Sequence, residues 1–111
     1  MLLVNTDKLT TDNVPFVSLK TIFNENSIEG GKTQFGTVLV PPKARIPISG
    51  FGSHNQDEYS IVIKGSIYTE SAGESFHLTA GDATLIPAGE EHWAINDSDE
   101  DCEIVWVLVE R

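Results

Sequence analysis

Short β-type runs, separated by turns rich in glycine, proline and acidic residues, dominate the sequence and constrain its fold most strongly. The runs are apolar and β-branched, and no stretch of useful length has the 3.6-residue period of an amphipathic helix. In a chain of 111 residues they predict one all-β domain over residues 1–111, built as a sandwich or a barrel. The predicted strands cover residues 35–40, 59–63, 66–70, 75–79, 83–87, 92–96 and 103–109.

Charge and composition exclude several classes of partner. The chain carries 17 acidic and 7 basic side chains, and its formal net charge of −10 repels nucleic-acid phosphates and anionic lipid surfaces. It has no apolar run of about 18 residues, and its first residues lack the basic region and cleavage site of a secretory signal. The single cysteine, Cys102, cannot form an intramolecular disulfide. We expect a cytoplasmic protein without nucleic-acid or membrane partners, in which Cys102 is a half-buried packing residue at the start of a strand rather than a nucleophile.

The alternation of side chains along each strand predicts which residues face the interior. In residues 59–63, Ser60 and Val62 share the parity of Glu58 and are expected to line the interior. In residues 74–79 the two faces differ in polarity. Phe76 and Leu78 are expected to face inward there, and His77 to be a solvated surface residue.

Two segments are apolar on both faces, whereas a strand with one face in solvent usually alternates apolar and polar residues. These are residues 59–63 and 103–110. Either the N-terminal residues 14–23 fold over their outer face or a second subunit covers it. We expect a homodimer, and the candidate buried positions are Ile61, Ile63 and part of residues 105–109.

The segment GDATLIPAGEEHWAIN, residues 81–96, carries the most specific pattern in the chain. Its glycines permit tight turns, and Pro87 ends a strand because it has no N–H to donate. The ordered residues follow the spacing G-x5-P-x-G-x2-H-x3-N, with Gly81, Pro87, Gly89, His92 and Asn96. This segment resembles the second motif of the cupin superfamily at every defining position.

The segment SHNQDEYSIVIKG, residues 53–65, resembles the second half of the first cupin motif. His54, Glu58 and Gly65 fall at the required spacing. Gly52 stands where the first of two motif histidines is expected, and Ile46 stands where the leading glycine is expected. The resemblance covers residues 35–109, the conserved barrel, and implies an antiparallel double-stranded β-helix of the jelly-roll type with a central pocket. Residues 1–15 are then expected to be a flexible or barrel-covering N-terminal segment.

The resemblance also implies a metal site. His54, Glu58 and His92 are the matching ligands, and two imidazoles with one carboxylate can hold a divalent ion and leave positions open. Zn²⁺, Fe²⁺, Mn²⁺, Ni²⁺ and Cu²⁺ all accept such ligands. Gln56 could add an amide oxygen if its loop turned inward, although it is better interpreted as a turn residue. No catalytic residue is assigned beyond this set.

Three interpretations of function stay open at this level, because a fold does not determine an activity. The first is a metal-dependent protein that binds or acts on a small oxygen-rich metabolite by dioxygenase, isomerase or lyase chemistry. The second is a metal-free, non-catalytic module for a sugar or organic acid, in which the histidines and Glu58 form only a hydrogen-bonded polar cluster. The third is an interaction domain, suggested by the strands that are apolar on both faces.

Overall fold

Two antiparallel β-sheets pack face to face in the computed structural model, which describes all 111 residues. The strands are β1 (Ser18–Phe23), β2 (Thr33–Val40), β3 (Arg45–Ile46), β4 (Gln56–Lys64), β5 (Ser66–Ser71), β6 (Glu74–Thr79), β7 (Ala83–Ile86), β8 (His92–Ile95) and β9 (Cys102–Glu110). One sheet has the order β1-β2-β9-β4-β7 and the other β3-β8-β5-β6. The all-β prediction is confirmed. The only helical segment is a 3₁₀ turn at Thr6–Lys8, so no helix could cross a membrane.

Strand β1 is the main element that the sequence pattern did not predict. It pairs with β2 at the edge of the five-stranded sheet, and therefore extends that sheet instead of covering its outer face. Tyr59, Ile61 and Ile63 of β4 remain between 40% and 53% exposed. The proposal that residues 14–23 fold over this face is therefore wrong. The homodimer stays a prediction, with Ile61 and Ile63 on its candidate surface.

The core lies between the sheets and takes side chains from the inner face of each. Val38, Val40 and Trp106 come from the five-stranded sheet, and Ile67 comes from the four-stranded one. Gly36, paired with Trp106, makes this packing possible because a Cβ there would collide with the indole ring and with the Lys20 carbonyl oxygen.

The predicted inward and outward faces hold, although the inward residues are buried to different degrees. Val62 is buried and His77 is exposed, as expected. Phe76 and Leu78 both line the cavity between the sheets, as expected, but Phe76 is 43% exposed whereas Leu78 is partly buried. Strand β6 is the edge strand of the four-stranded sheet and pairs with β5 alone, so Phe76 has a neighbouring strand on one side only.

The last residue of the second motif is a structural residue. The Asn96 side chain is fully buried, and its amide nitrogen donates to the carbonyl oxygens of Val40 (2.8 Å) and Glu100 (2.7 Å). Its amide oxygen accepts from the backbone N–H (3.0 Å) and the hydroxyl (2.7 Å) of Ser98. Asn96 therefore joins β2 to the acidic turn before β9 and satisfies both ends of its amide.

Replacing this amide is expected to destabilise the fold. Asn96→Ala leaves the buried Val40 carbonyl without its donor, and we expect a loss of about 2–4 kcal/mol in the free energy of unfolding. Urea denaturation monitored by tryptophan fluorescence measures it. Asn13→Ala, at an exposed asparagine, is the matched control and should change stability by less than about 0.5 kcal/mol. Equal effects of the two variants would contradict the structural role.

Cys102 lies at the start of β9 and packs in the core, as expected, but it is fully buried instead of half-buried. Burial raises the pKa of its thiol from 9.0 to about 11, with a smaller contribution from the neighbouring Glu103 charge. Between pH 9.0 and about 11, the Cys102 thiol is therefore mostly protonated in the native state and mostly ionised in the unfolded chain.

Two measurements follow from this buried thiol. At about pH 8 a disulfide reagent should modify Cys102 in urea but not in the native protein.

Because the pKa of Cys102 is higher in the folded state, its contribution to the free energy of unfolding should be complete below pH 9.0 and be lost as the pH rises through about 11. Cys102→Ala should remove that part of the pH dependence, and an identical profile in the variant would contradict the assignment.

Candidate metal centre

Three side chains from separate elements meet at one end of the space between the sheets. His54 lies in the loop before β4, Glu58 lies on the inner face of β4, and His92 begins β8. Their potential ligand atoms all lie within 4.8 Å of one another. The Nε2 atoms of His54 and His92 lie 3.9 Å and 3.8 Å from the two oxygens of the Glu58 carboxylate. The fold therefore brings together all three residues that the motifs indicated.

The backbone orients both imidazoles in the same way. The Nδ1 of His54 lies 2.9 Å from the Gln56 carbonyl oxygen, and the Nδ1 of His92 lies 3.0 Å from that of Glu90. A carbonyl oxygen only accepts, so in each ring Nδ1 carries the proton and the neutral ring presents the lone pair of Nε2. The buried Nε2 of His54 has no hydrogen-bond partner.

This arrangement fits a divalent cation. The two Nε2 atoms lie close to the same carboxylate, and the buried Nε2 of His54 has no donor or acceptor within hydrogen-bond distance. Backbone carbonyls that hold the opposite ring nitrogens are the usual outer partners of histidine ligands. The cluster of His54, Glu58 and His92 could therefore hold a metal ion.

Backbone contacts fix the loops that carry the histidines. Gly52 and His92 exchange two N–H···O bonds, of 2.8 and 2.9 Å, and Gly89 N–H donates to the His54 carbonyl at 2.7 Å. The Asp57 carboxylate accepts from Ala88 N–H at 2.9 Å and pairs with Arg111. Both contacts lower the pKa of Asp57, the Ala88 hydrogen bond more than Arg111. The turn before His92 is thereby tied to the residue beside Glu58.

A cavity of about 940 Å³ opens from this cluster and runs between the sheets. Ser60 and Val62 line it, as their parity predicted, together with Glu58 and His92. Its inner wall is apolar and includes Ile67, Ile104 and Trp106. No lysine or arginine lines the cavity.

Two polar residues of the cavity wall were not singled out from the sequence. Glu90 and Ser71 line the cavity, and the Ser71 hydroxyl donates to the Glu90 carboxylate. Glu90 occupies a variable position of the second motif. Ser71 reaches it only because β5 pairs with β8, which the local sequence does not specify.

Comparison with known proteins supports the motif assignment. The model of the cupin domain family matches residues 36–108, well over half of the chain. The chain belongs to the cupin family. No protein with curated annotation is significantly similar to this cupin in sequence.

Solved structures resemble this cupin over nearly its whole length. A Thermotoga maritima protein described as a predicted oxalate decarboxylase has a TM-score of 0.84 at 19% identity, covering 99% of this chain and 100% of that chain. KdgF from Halomonas sp. has a TM-score of 0.75 at 19% identity, covering 100% of this chain and 94% of that chain. A Cupin 2 conserved barrel domain protein from Salinispora arenicola has a TM-score of 0.74 at 21% identity, covering 99% of this chain and 87% of that chain. At these identities the similarity establishes the double-stranded β-helix fold.

Gly52 lies where a fourth ligand would face the cluster. Its antiparallel bridge with His92 places a side chain at position 52 on the same face as His92. A Cβ built there meets nothing closer than 3.9 Å. The position is therefore open to a larger residue.

Gly52→His is expected to tighten metal binding. Losing even an outer partner of a metal ligand costs about 10–100-fold in affinity, so a fourth imidazole should raise affinity for Zn²⁺ roughly tenfold or more. Competition titration with a chromogenic chelator measures it. Ser53→His, at the exposed neighbouring position, is the matched control. Equal affinities of the two variants would show that position 52 does not face the ion.

Proposed function

We propose that this cupin binds one divalent metal ion between His54, Glu58 and His92 and holds a small oxygen-rich metabolite in the adjoining cavity. One observation carries the proposal. Both imidazoles donate through Nδ1 to backbone carbonyls and turn Nε2 toward one carboxylate, and the buried Nε2 of His54 has no partner. A cation satisfies all three groups at once.

The residues of the site have separate roles in this proposal. His54 and His92 supply neutral nitrogen ligands, and Glu58 supplies the negative charge that a divalent ion requires. The ion, when bound, offers Lewis acidity or a redox centre to an oxygen of the metabolite. The apolar wall formed by Ile67, Ile104 and Trp106 limits water around the bound molecule, while Ser60 offers a hydroxyl beside Glu58.

The metal-free binding module is the second candidate, and Gly52 favours it. A chain that has one imidazole fewer than the full motif could use the same cavity without an ion. In that case a proton on one Nε2 would replace the metal and donate to Glu58. The two candidates therefore differ in what neutralises the Glu58 carboxylate.

Metal content decides between them. The protein purified without chelators and then titrated with Zn²⁺, Mn²⁺, Co²⁺ or Ni²⁺ should hold about one ion per chain by inductively coupled plasma mass spectrometry. His54→Ala and Glu58→Gln should each weaken binding at least tenfold, since each removes one of only three ligands. His77→Ala, at a histidine outside the cluster, should bind as the wild type does. Failure of every metal to bind would leave the metal-free module as the function of this site.

A further inference from the structure

Glu90 is a carboxylate on the cavity wall that the metal site does not use. Its side chain is partly buried and accepts a hydrogen bond from the Ser71 hydroxyl. Ser71 pairs with His92 across strands β5 and β8, so both side chains lie on the face that lines the cavity. Glu90 is not one of the residues whose ligand atoms cluster within 4.8 Å, and it has no ion-pair partner.

The carboxylates on the cavity wall have no lysine or arginine among them. Glu58 and Glu90 are partly buried in it, and Glu74 and Asp82 stand at its exposed margin. All seven lysine and arginine side chains lie elsewhere; Arg45, for example, stacks 4.5 Å from the Trp93 ring, and Arg111 pairs with Asp57. A bound divalent ion would offset about two of the negative charges, and apart from the imidazoles of His77 and His92 the wall has no group that could neutralise an anionic ligand.

A partly buried carboxylate with a single hydroxyl partner has acceptor capacity to spare. Each ionised oxygen can accept two hydrogen bonds, and Ser71 uses one position of Oε2. The remaining positions favour a donor, and a second carboxylate or a phosphate offers none. Hydrogen bonds to a charged acceptor are the strong ones, so this group can discriminate between ligands.

We propose that Glu90, oriented by Ser71, selects the metabolite: it accepts a hydrogen bond from a hydroxyl or ammonium group and excludes ligands with a second negative charge. The inference rests on the proposed function, because the ion binds one end of the ligand and Glu90 binds the other. The substrate class is therefore a small molecule with one metal-binding oxygen group and a donor at its far end.

Three ligands of equal length test this selection. β-Alanine, 3-hydroxypropionate and malonate share one carboxylate for the metal and end in an ammonium, a hydroxyl and a second carboxylate. We expect the Co²⁺-loaded protein, monitored by its visible absorption, to bind the first two at least about tenfold more tightly than malonate. That order opposes chelation in free solution, where malonate closes a ring on the ion with two carboxylates. Glu90→Gln should reduce the preference about tenfold.

Glu91→Gln is the matched control, because it removes the same charge from the adjacent, exposed residue. It should leave the preference unchanged. Malonate bound as tightly as β-alanine by the wild type, equal effects of the two variants, or no binding of any of the three ligands would overturn the role of Glu90.

Calorimetry on the metal-free protein distinguishes a failure of the Glu90 selection from a failure of the proposed metal site. A preference for β-alanine that depends on Glu90, without any cobalt uptake, would overturn the metal site and support the selection. Cobalt uptake without the preference would retain the metal site and overturn the selection alone.

Discussion

The pairing of β4 with β9 in the middle of the five-stranded sheet is the constraint on which the rest of the molecule depends. Its register sets Glu58 opposite Leu108 and Ser60 opposite Trp106, so the inner face of one strand continues that of the other. Because side chains alternate with a period of two, a slip of one residue would turn the carboxylate to solvent and Ile61 into the core. Core packing and the position of the acidic ligand are therefore set by the same ladder of hydrogen bonds.

Around that carboxylate the backbone does most of the positioning. The carbonyls of Gln56 and Glu90 orient the rings, and the Gly52–His92 bridge joins the two loops that carry them. Asp57 links β4 to the turn before β8 through Ala88. Such contacts do not depend on long flexible side chains, so the geometry that could hold an ion does not require the ion to form it. This preorganisation reduces the entropy that binding has to overcome.

Much of this arrangement could be predicted from the sequence, and the omissions have physical causes. The apolar runs bounded by glycine and proline correctly predicted most of the strands, and the motif spacing indicated His54, Glu58 and His92. Strand β1 was missed because it is an edge strand with polar and apolar residues mixed, and the two-residue β3 was too short to carry a period. The exposure of Phe76 depends on β6 being an edge, and the contact of Ser71 with Glu90 depends on strand pairing. The local sequence does not specify which strands pair or which strand forms an edge, so these features could not be predicted from it.

The bridge between Gly52 and His92 has a consequence for how substitutions can alter this cluster. The two residues are held together by main-chain N–H and C=O groups, which every amino acid except proline supplies at position 52. A ligand can therefore be lost or gained there by a single substitution while the barrel, the loops and the other ligands stay in place. The number of potential ligands in this cluster can therefore change without a change in the main-chain contacts that hold the other three residues.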